Sequence, residues 1–390
     1  MKNVNAKSKY LLLTAMVIAL MSVSVSCSTS SSLSTGAKSW KDETVLISPR
    51  GDQTVVRPFE GDRVLFKNAD PQLAIEWGMA NARTTMVMAG KYVVSESIDI
   101  PRDAVTLIIG QGAEISLNPK TEHKTDVGFR SRNSPGYWQL VPLIYNRGHD
   151  NVRVIHLGTL VHSVWEHSVW EDGNRAKQTF PIVFDGRNAK RTCGVKGGLL
   201  LVTGSTAQSC LLLDARGVHV PLLTPDFTAL DSALDAVLVL EGCEDCKLGM
   251  TVNLPPESGG MTGVTVALNS RNRGITIERL LGEGWIEIIK CNESHATVGE
   301  VVFVGSPQEL LMTTKDSRPR WTSKPRTGSV SLDVKKKTIL EDARGSALRV
   351  EVPKLPDALP RFTVKATAEV TMKDGSKKKY TKEVEIDVRK

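Results

Sequence analysis

Two carboxylates and two basic side chains are the first candidates for chemistry in this sequence. Asp185 and Asp214 each end a run of apolar β-formers, Ile182-Val-Phe-Asp185 and Leu211-Leu-Leu-Asp214. On stacked neighbouring strands such a pair would stand about 5 Å apart. Like charges that close push their pKa values apart, leaving one acid and one base. The same pair could hold a divalent cation. His149 and Arg187 follow strand ends of the same kind and would be the nearby proton carriers. Against this stands the ordinary role of Asp at a strand end, where its carboxylate satisfies turn backbone.

A second candidate is a tandem duplication. His162-Ser-Val-Trp165-Glu166 is repeated at once as His167-Ser-Val-Trp170-Glu171. Indole faces beside carboxylates suit a sugar, whose apolar face stacks on an aromatic ring. A spacing of five puts Trp165 and Trp170 on opposite faces of a strand, so only a loop presents both. His162 and His167 at that spacing lack a metal-site pattern. Cys243-Glu-Asp-Cys246 has no second CxxC or paired His, and its surroundings read as all β. Buried thiols or one local disulfide are the readings that remain. No metal and no cofactor is therefore expected, with a cation at the Asp pair left open.

These residues need a scaffold that repeats strand ends. Apolar strands closed by a polar anchor recur along the chain, with anchors at Asp185, Asp214, Glu241, Asn269 and Cys291. Their separations are 29, 27, 28 and 22 residues. A period in the twenties marks a solenoid, in which each unit buries its apolar face against the next. Upstream, Asp70-Pro71 followed by Ile75, Met79 and Ala82 at helical spacing predicts a short helix with Asp70 as N-cap.

After that helix come Ala89-Gly90-Lys-Tyr92, Ile100-Pro101, Val105-Thr-Leu107, Gly110 and Ala113-Glu-Ile115. With Ala74, Ile75 and Ala82, this stretch over 70–115 resembles the start of the pectin-lyase-like superfamily, which includes polygalacturonases, pectate lyases and phage tailspikes. The resemblance implies an all-β fold: a right-handed parallel β-helix with a short N-terminal capping helix. It also implies a carbohydrate polymer as partner. It does not carry catalytic residues over. Polygalacturonase-like enzymes have Asp-Asp, Gly-His-Gly and Arg-Ile-Lys, whereas this chain has no Asp-Asp and offers only Gly148-His149-Asp150. Pectate-lyase signatures are absent as well.

The two ends of the chain differ from its middle. Lys2, Lys7 and Lys9 precede the apolar run Tyr10–Met21, which is too short to span a membrane. Ser24-Val-Ser-Cys27 then resembles a bacterial lipoprotein signal, with Ser24 where Leu is usual, and implies lipid attachment at Cys27. Ordinary cleavage and secretion is the alternative. At the other end, Phe362–Met372 and Tyr380–Val388 alternate apolar and polar residues around Asp374-Gly375. A three-residue loop, Lys373-Asp374-Gly375, keeps both apolar sets on one face, puts Gly375 in the left-handed region and sets Val364 opposite Val384. Ser329–Val334 and Ala347–Val352 are expected to add strands to this small antiparallel module, which could cap the open end of the helix.

The expected organisation is a signal peptide at 1–27, a Ser/Thr-rich tether at 28–42, the β-helix at 43–312, a basic linker at 313–328 and the module at 329–390. The chain carries a net charge of +7. Residues 313–390 hold 20 Lys/Arg against 11 Asp/Glu, so the basic surplus lies there. Export makes nucleic acid an unsuitable partner for it. The leading expectation is an envelope lipoprotein that binds an extended polysaccharide along its side, with homo-oligomerisation left open. The alternatives are a polysaccharide lyase or glycoside hydrolase with a non-standard site, and a structural or adhesive module whose basic hairpin is the contact surface.

Overall fold

The computed structural model describes residues 43–118, 127–129, 138–161, 176–188, 194–206, 210–224, 234–253, 262–269, 271–282, 287–291, 294–304, 312–313, 331–340 and 342–389. Among them the fold is all β with one helix. The helix, Pro71–Asn81, starts as its sequence dictates. Asp70 caps it by accepting from the Gln72 N–H at 2.9 Å, and Pro71 sits where its missing N–H costs nothing. Ala74, Ile75 and Met79 turn into the core.

The chain shuttles between two large sheets. Cys210–Leu213, Leu234–Glu241, Thr262–Leu268 and Glu287–Cys291 lie side by side and parallel in a nine-stranded sheet. The strands that follow each of them, His219–Leu223, Lys247–Asn253, Ile275–Gly282 and His295–Phe303, lie parallel in a twelve-stranded sheet. Smaller parallel sheets fill the corners. The far end of the twelve-stranded sheet is an antiparallel meander, Thr44–Arg50, Gln53–Pro58 and Phe66–Asn68.

Side chains that point between the sheets form one continuous apolar core from Val45 to Phe303. At the corner that follows the nine-stranded sheet, Ala104, Asn151, Gly197, Gly217, Asp245 and Gly274 all adopt positive φ, between 52° and 68°. Each of the first five donates its N–H to the carbonyl just before the next one in the stack, at 2.8–2.9 Å. The corner therefore repeats as a hydrogen-bonded ladder, which fixes how each strand ends.

The C-terminal hairpin has the register its alternation predicts. Val364 faces Val384, and Gly375 takes φ 84° in a loop closed by Met372 N–H to Ser376 O. Two other expectations need correction. Ser331–Ile339 does not join the C-terminal module: it pairs in parallel with His295–Phe303, so the three-stranded antiparallel sheet is Ala343–Glu351, Arg361–Met372 and Lys377–Asp387. That sheet does not cap an end either. It lies across the outer face of the twelve-stranded sheet, because that face presents a second apolar row, Leu46, Met86, Ile108, Ile155 and Leu201, with Leu222 and Met250 beyond. Phe362, Val364, Ala366, Ala368, Val370 and Ile386 cover the row. Thr84 Oγ1 and an Arg153 N–H bond the carbonyls of Val388 and Asp387 at 3.1 and 2.7 Å and pin the last strand.

Both surfaces turn polar at the same place. Past Met250 the row continues as Arg279, Glu300 and Lys336. Opposite, the hairpin changes from Val384 to Lys382 and Tyr380. Lys382 pairs with Glu278 at 2.5 Å, and the Arg279 guanidinium lies 5.4 Å from the Tyr380 ring centre. Glu300, 12% exposed, accepts from Arg279 at 2.7 Å and lies 3.0 Å from Lys336. Burial opposes its charge, but Lys336 and Arg279 outweigh that and hold the carboxyl below its usual range. A depressed carboxyl pKa stabilises the fold above the ordinary Glu value of about 4.3, and that contribution fades as pH falls below it. Glu300→Gln should therefore be less stable than the parent near neutral pH. The gap in denaturation midpoint should close on acidification.

Candidate functional site

The polar residues of interest gather where strands of the nine-stranded sheet end. Asn146 closes its strand by bracketing the turn, accepting from His149 N–H at 2.8 Å and donating to His149 O at 2.9 Å. Asp185 closes its strand as an acceptor only, taking the Arg187 N–H at 3.0 Å. Parallel register sets Asp185 opposite Leu213, and Leu213 opposite Glu241. Asp214 lies one position further on, at φ 43°.

The expected stacked pair of Asp185 and Asp214 is therefore not formed. Asp185 and Glu241 share the outward row, two strands apart, and Asp214 has turned into the corner. Its carboxylate lies over Gly242, where an added Cβ would come within 2.0 Å of Asp214 Oδ1. Arg271 lies 3.7 Å from the same oxygen. Burial raises the Asp214 pKa, Arg271 and Arg187 counter part of the rise, and the charge of Asp185 adds a smaller upward push.

Asp185 is fully buried and has its acceptor sites filled. Arg187 donates through Nε and Nη2, both at 2.9 Å, in addition to its backbone N–H, and Tyr145 donates its hydroxyl at 3.1 Å. Burial alone would lower the Arg187 pKa, but the bond to Asp185 and its charge more than reverse this. The Arg187 guanidinium is thus tied to both oxygens of the buried Asp185 carboxylate, an ion pair that holds the turn. Next along, the Arg147 guanidinium lies 4.4 Å from the Tyr145 ring centre and bonds Asp99 at 2.9 Å. His149 is drawn aside to Asp103, its Nδ1 3.1 Å from a carboxylate oxygen that also takes the Asp150 N–H.

The arrangement is a series of charges along the strand ends, Asp99, Arg147, Asp185, Arg187 and Glu241, with Asp214 and Arg271 at the corner beside it. Tyr145, Val183, Leu211, Leu213, Val239 and Ala267 form its apolar bed. The row crosses six parallel strands, about 24 Å at ~4.8 Å per strand. Guanidinium groups held by carboxylates present fixed N–H donors, which can bind carboxylate, sulfate or hydroxyl groups of a ligand. Neither sequence-predicted carboxylate is arranged as an acid–base pair.

Tyr145, Arg147, Asp99, Glu241 and Arg271 were not among the sequence candidates. A signal for the cations was present. Four strand ends are followed within two residues by arginine, in Asn146-Arg147, Asp185-Gly-Arg187, Asp214-Ala-Arg216 and Asn269-Ser-Arg271, whereas Glu241 and Cys291 are not. Trp165, Trp170, His162, His167 and Cys27 lie outside the described residues. Among the described residues no cluster of three or more His, Cys, Asp or Glu could hold a metal, and no helix is long and apolar enough to cross a membrane. No protein-family model, curated protein or solved structure matches this chain.

Proposed function

We propose that the chain winds as a right-handed parallel β-helix of the pectin-lyase-like kind and binds an extended carbohydrate polymer without cleaving it. Parallel strands that alternate between two large sheets, closed at one corner by a ladder of left-handed residues, support the fold. The charged row at the ends of the nine-stranded sheet carries the function. Its length exceeds a single sugar and its shape is linear. The arginines favour a polymer bearing carboxylate or sulfate groups. The saturated Asp185 and the turned-in Asp214 support binding over catalysis. The lipoprotein-like segment ending at Cys27 supports a place in the cell envelope, tethered through an N-terminal lipid.

Affinity gel electrophoresis of the mature chain with neutral and acidic polysaccharides tests this reading. Retardation by an acidic polymer is expected. Arg271, 52% exposed, can be changed with little cost to the fold. Losing one charge-assisted contact of about 1.5–3 kcal/mol should weaken binding by about tenfold or more in Arg271→Gln. Equal retardation of parent and variant would remove the row from the binding surface. No retardation by any polymer would overturn the proposal.

A further inference from the structure

The pair Cys243 and Cys246 plays no part in the charged row. Both side chains point into the core at the corner between Leu234–Glu241 and Lys247–Asn253, and both are fully buried. Asp245, at positive φ, turns the chain between the two cysteines, whose thiols are free in the structure. Cys246 Sγ lies 3.6 Å from Ala215 O, and Cys243 approaches the same carbonyl while bonding Leu212 O at 3.3 Å. The thiols are within hydrogen-bonding reach of each other. Neighbouring turns hold Ala215 and Val218 on one side, and Asn272 and Ile275 on the other. Asn272 accepts from the Cys243 N–H at 2.9 Å, which fixes the backbone of the first cysteine.

We propose that Cys243 and Cys246 close into a disulfide that staples this corner of the stack. The equivalent positions in the neighbouring turns hold Ala215 and Val218 on one side and Asn272 and Ile275 on the other, so the corner packs there without sulfur. The oxidant is a disulfide of the exported compartment, reacting by thiol–disulfide exchange. One cysteine thiolate attacks a donor sulfur and releases a donor thiol. The second cysteine attacks the mixed disulfide and releases the other donor thiol. Two electrons pass to the donor, and the two cysteine protons end on the released thiols. Both sulfurs are sealed in the folded chain, so exchange takes place before the adjoining strands close over the corner.

The supply of oxidant rests on the export reading, whereas the pairing rests on geometry alone, so two samples are needed. The first is the purified chain refolded with glutathione disulfide, then unfolded with an alkylating agent and no reductant. Peptide mapping should find Cys210 alkylated. The peptide holding Cys243 and Cys246 should be unmodified and lighter by two hydrogens. Alkylation at both positions, or a bond from either to Cys210, would overturn the proposal. In Cys243→Ala, Cys246 should become alkylated; protection there would also overturn it. The second sample is protein recovered from the envelope of producing cells. A reduced pair there, after oxidation in the first sample, would count against the export reading and leave the pairing intact.

Discussion

Val364→Asp should detach the C-terminal sheet from the rest of the molecule. Val364 is fully buried at the centre of the contact between that sheet and the outer apolar row, and its cross-strand partner is Val384. A carboxylate placed there finds no donor among the alanines and valines around it. The penalty for such an ion is several kcal/mol, roughly 4 or more, and it exceeds what the surrounding apolar contacts restore. Loss of the sheet uncovers the row from Leu46 to Met250, an exposed apolar stripe that drives self-association. The expected result is proteolytic loss of the chain beyond residue 340 and oligomers on size exclusion. Thr363→Lys, one residue away but on the exposed face opposite Glu385, should behave as the parent. A Val364→Asp protein that stays monomeric and protease-resistant would mean that the contact contributes little.

The second large effect concerns the two carboxylates that look alike in sequence. Asp185→Ala removes the acceptor for the Tyr145 hydroxyl and for three N–H groups of Arg187. Breaking a fully buried pair costs about 3–5 kcal/mol, and the 30% exposure of the Arg187 side chain keeps this one near about 3. Asp214→Gly should cost within about 1 kcal/mol, since glycine relieves the positive φ while the carboxylate contact is lost. Thermal and urea midpoints of the two variants should therefore differ clearly, with Asp185→Ala far below the parent. Equal midpoints would show that the Asp185 network is not structural and would return both residues to the list of catalytic candidates.

Much of the fold could be read from the residues. The Asp70 cap, the helix after it and the register of the hairpin followed from local chemistry with strong periodicity. The Asp214 error has a physical origin. Leu211, Leu212 and Leu213 are all buried, so the run has no alternation to fix which residue faces out, and the sequence pattern points to Asp214 as the anchor where the register uses Leu213. With the observed register the rows 185, 213 and 241 are evenly spaced by 28 residues, and Leu240 opposite Leu268 continues the same step. The docking of the C-terminal sheet was also encoded. Runs such as Thr106–Ile109 and Leu199–Val202 are apolar at both alternating positions, as strands covered on both faces are. The charged row was harder to foresee. Its members come from strands far apart in sequence, and Tyr145 joins it only because register places it beside the Asp185 strand.

The claim that the row binds a polymer and does not cut it has one direct test. The mature protein is incubated for a long period with each polysaccharide that retards it, and both new reducing ends and the ultraviolet absorbance of unsaturated products are recorded. Retardation with neither signal is expected. New ends with absorbance would identify a lyase. New ends without absorbance would identify a hydrolase, and in that case Asp185 and Asp214 would have to leave their structural partners to act.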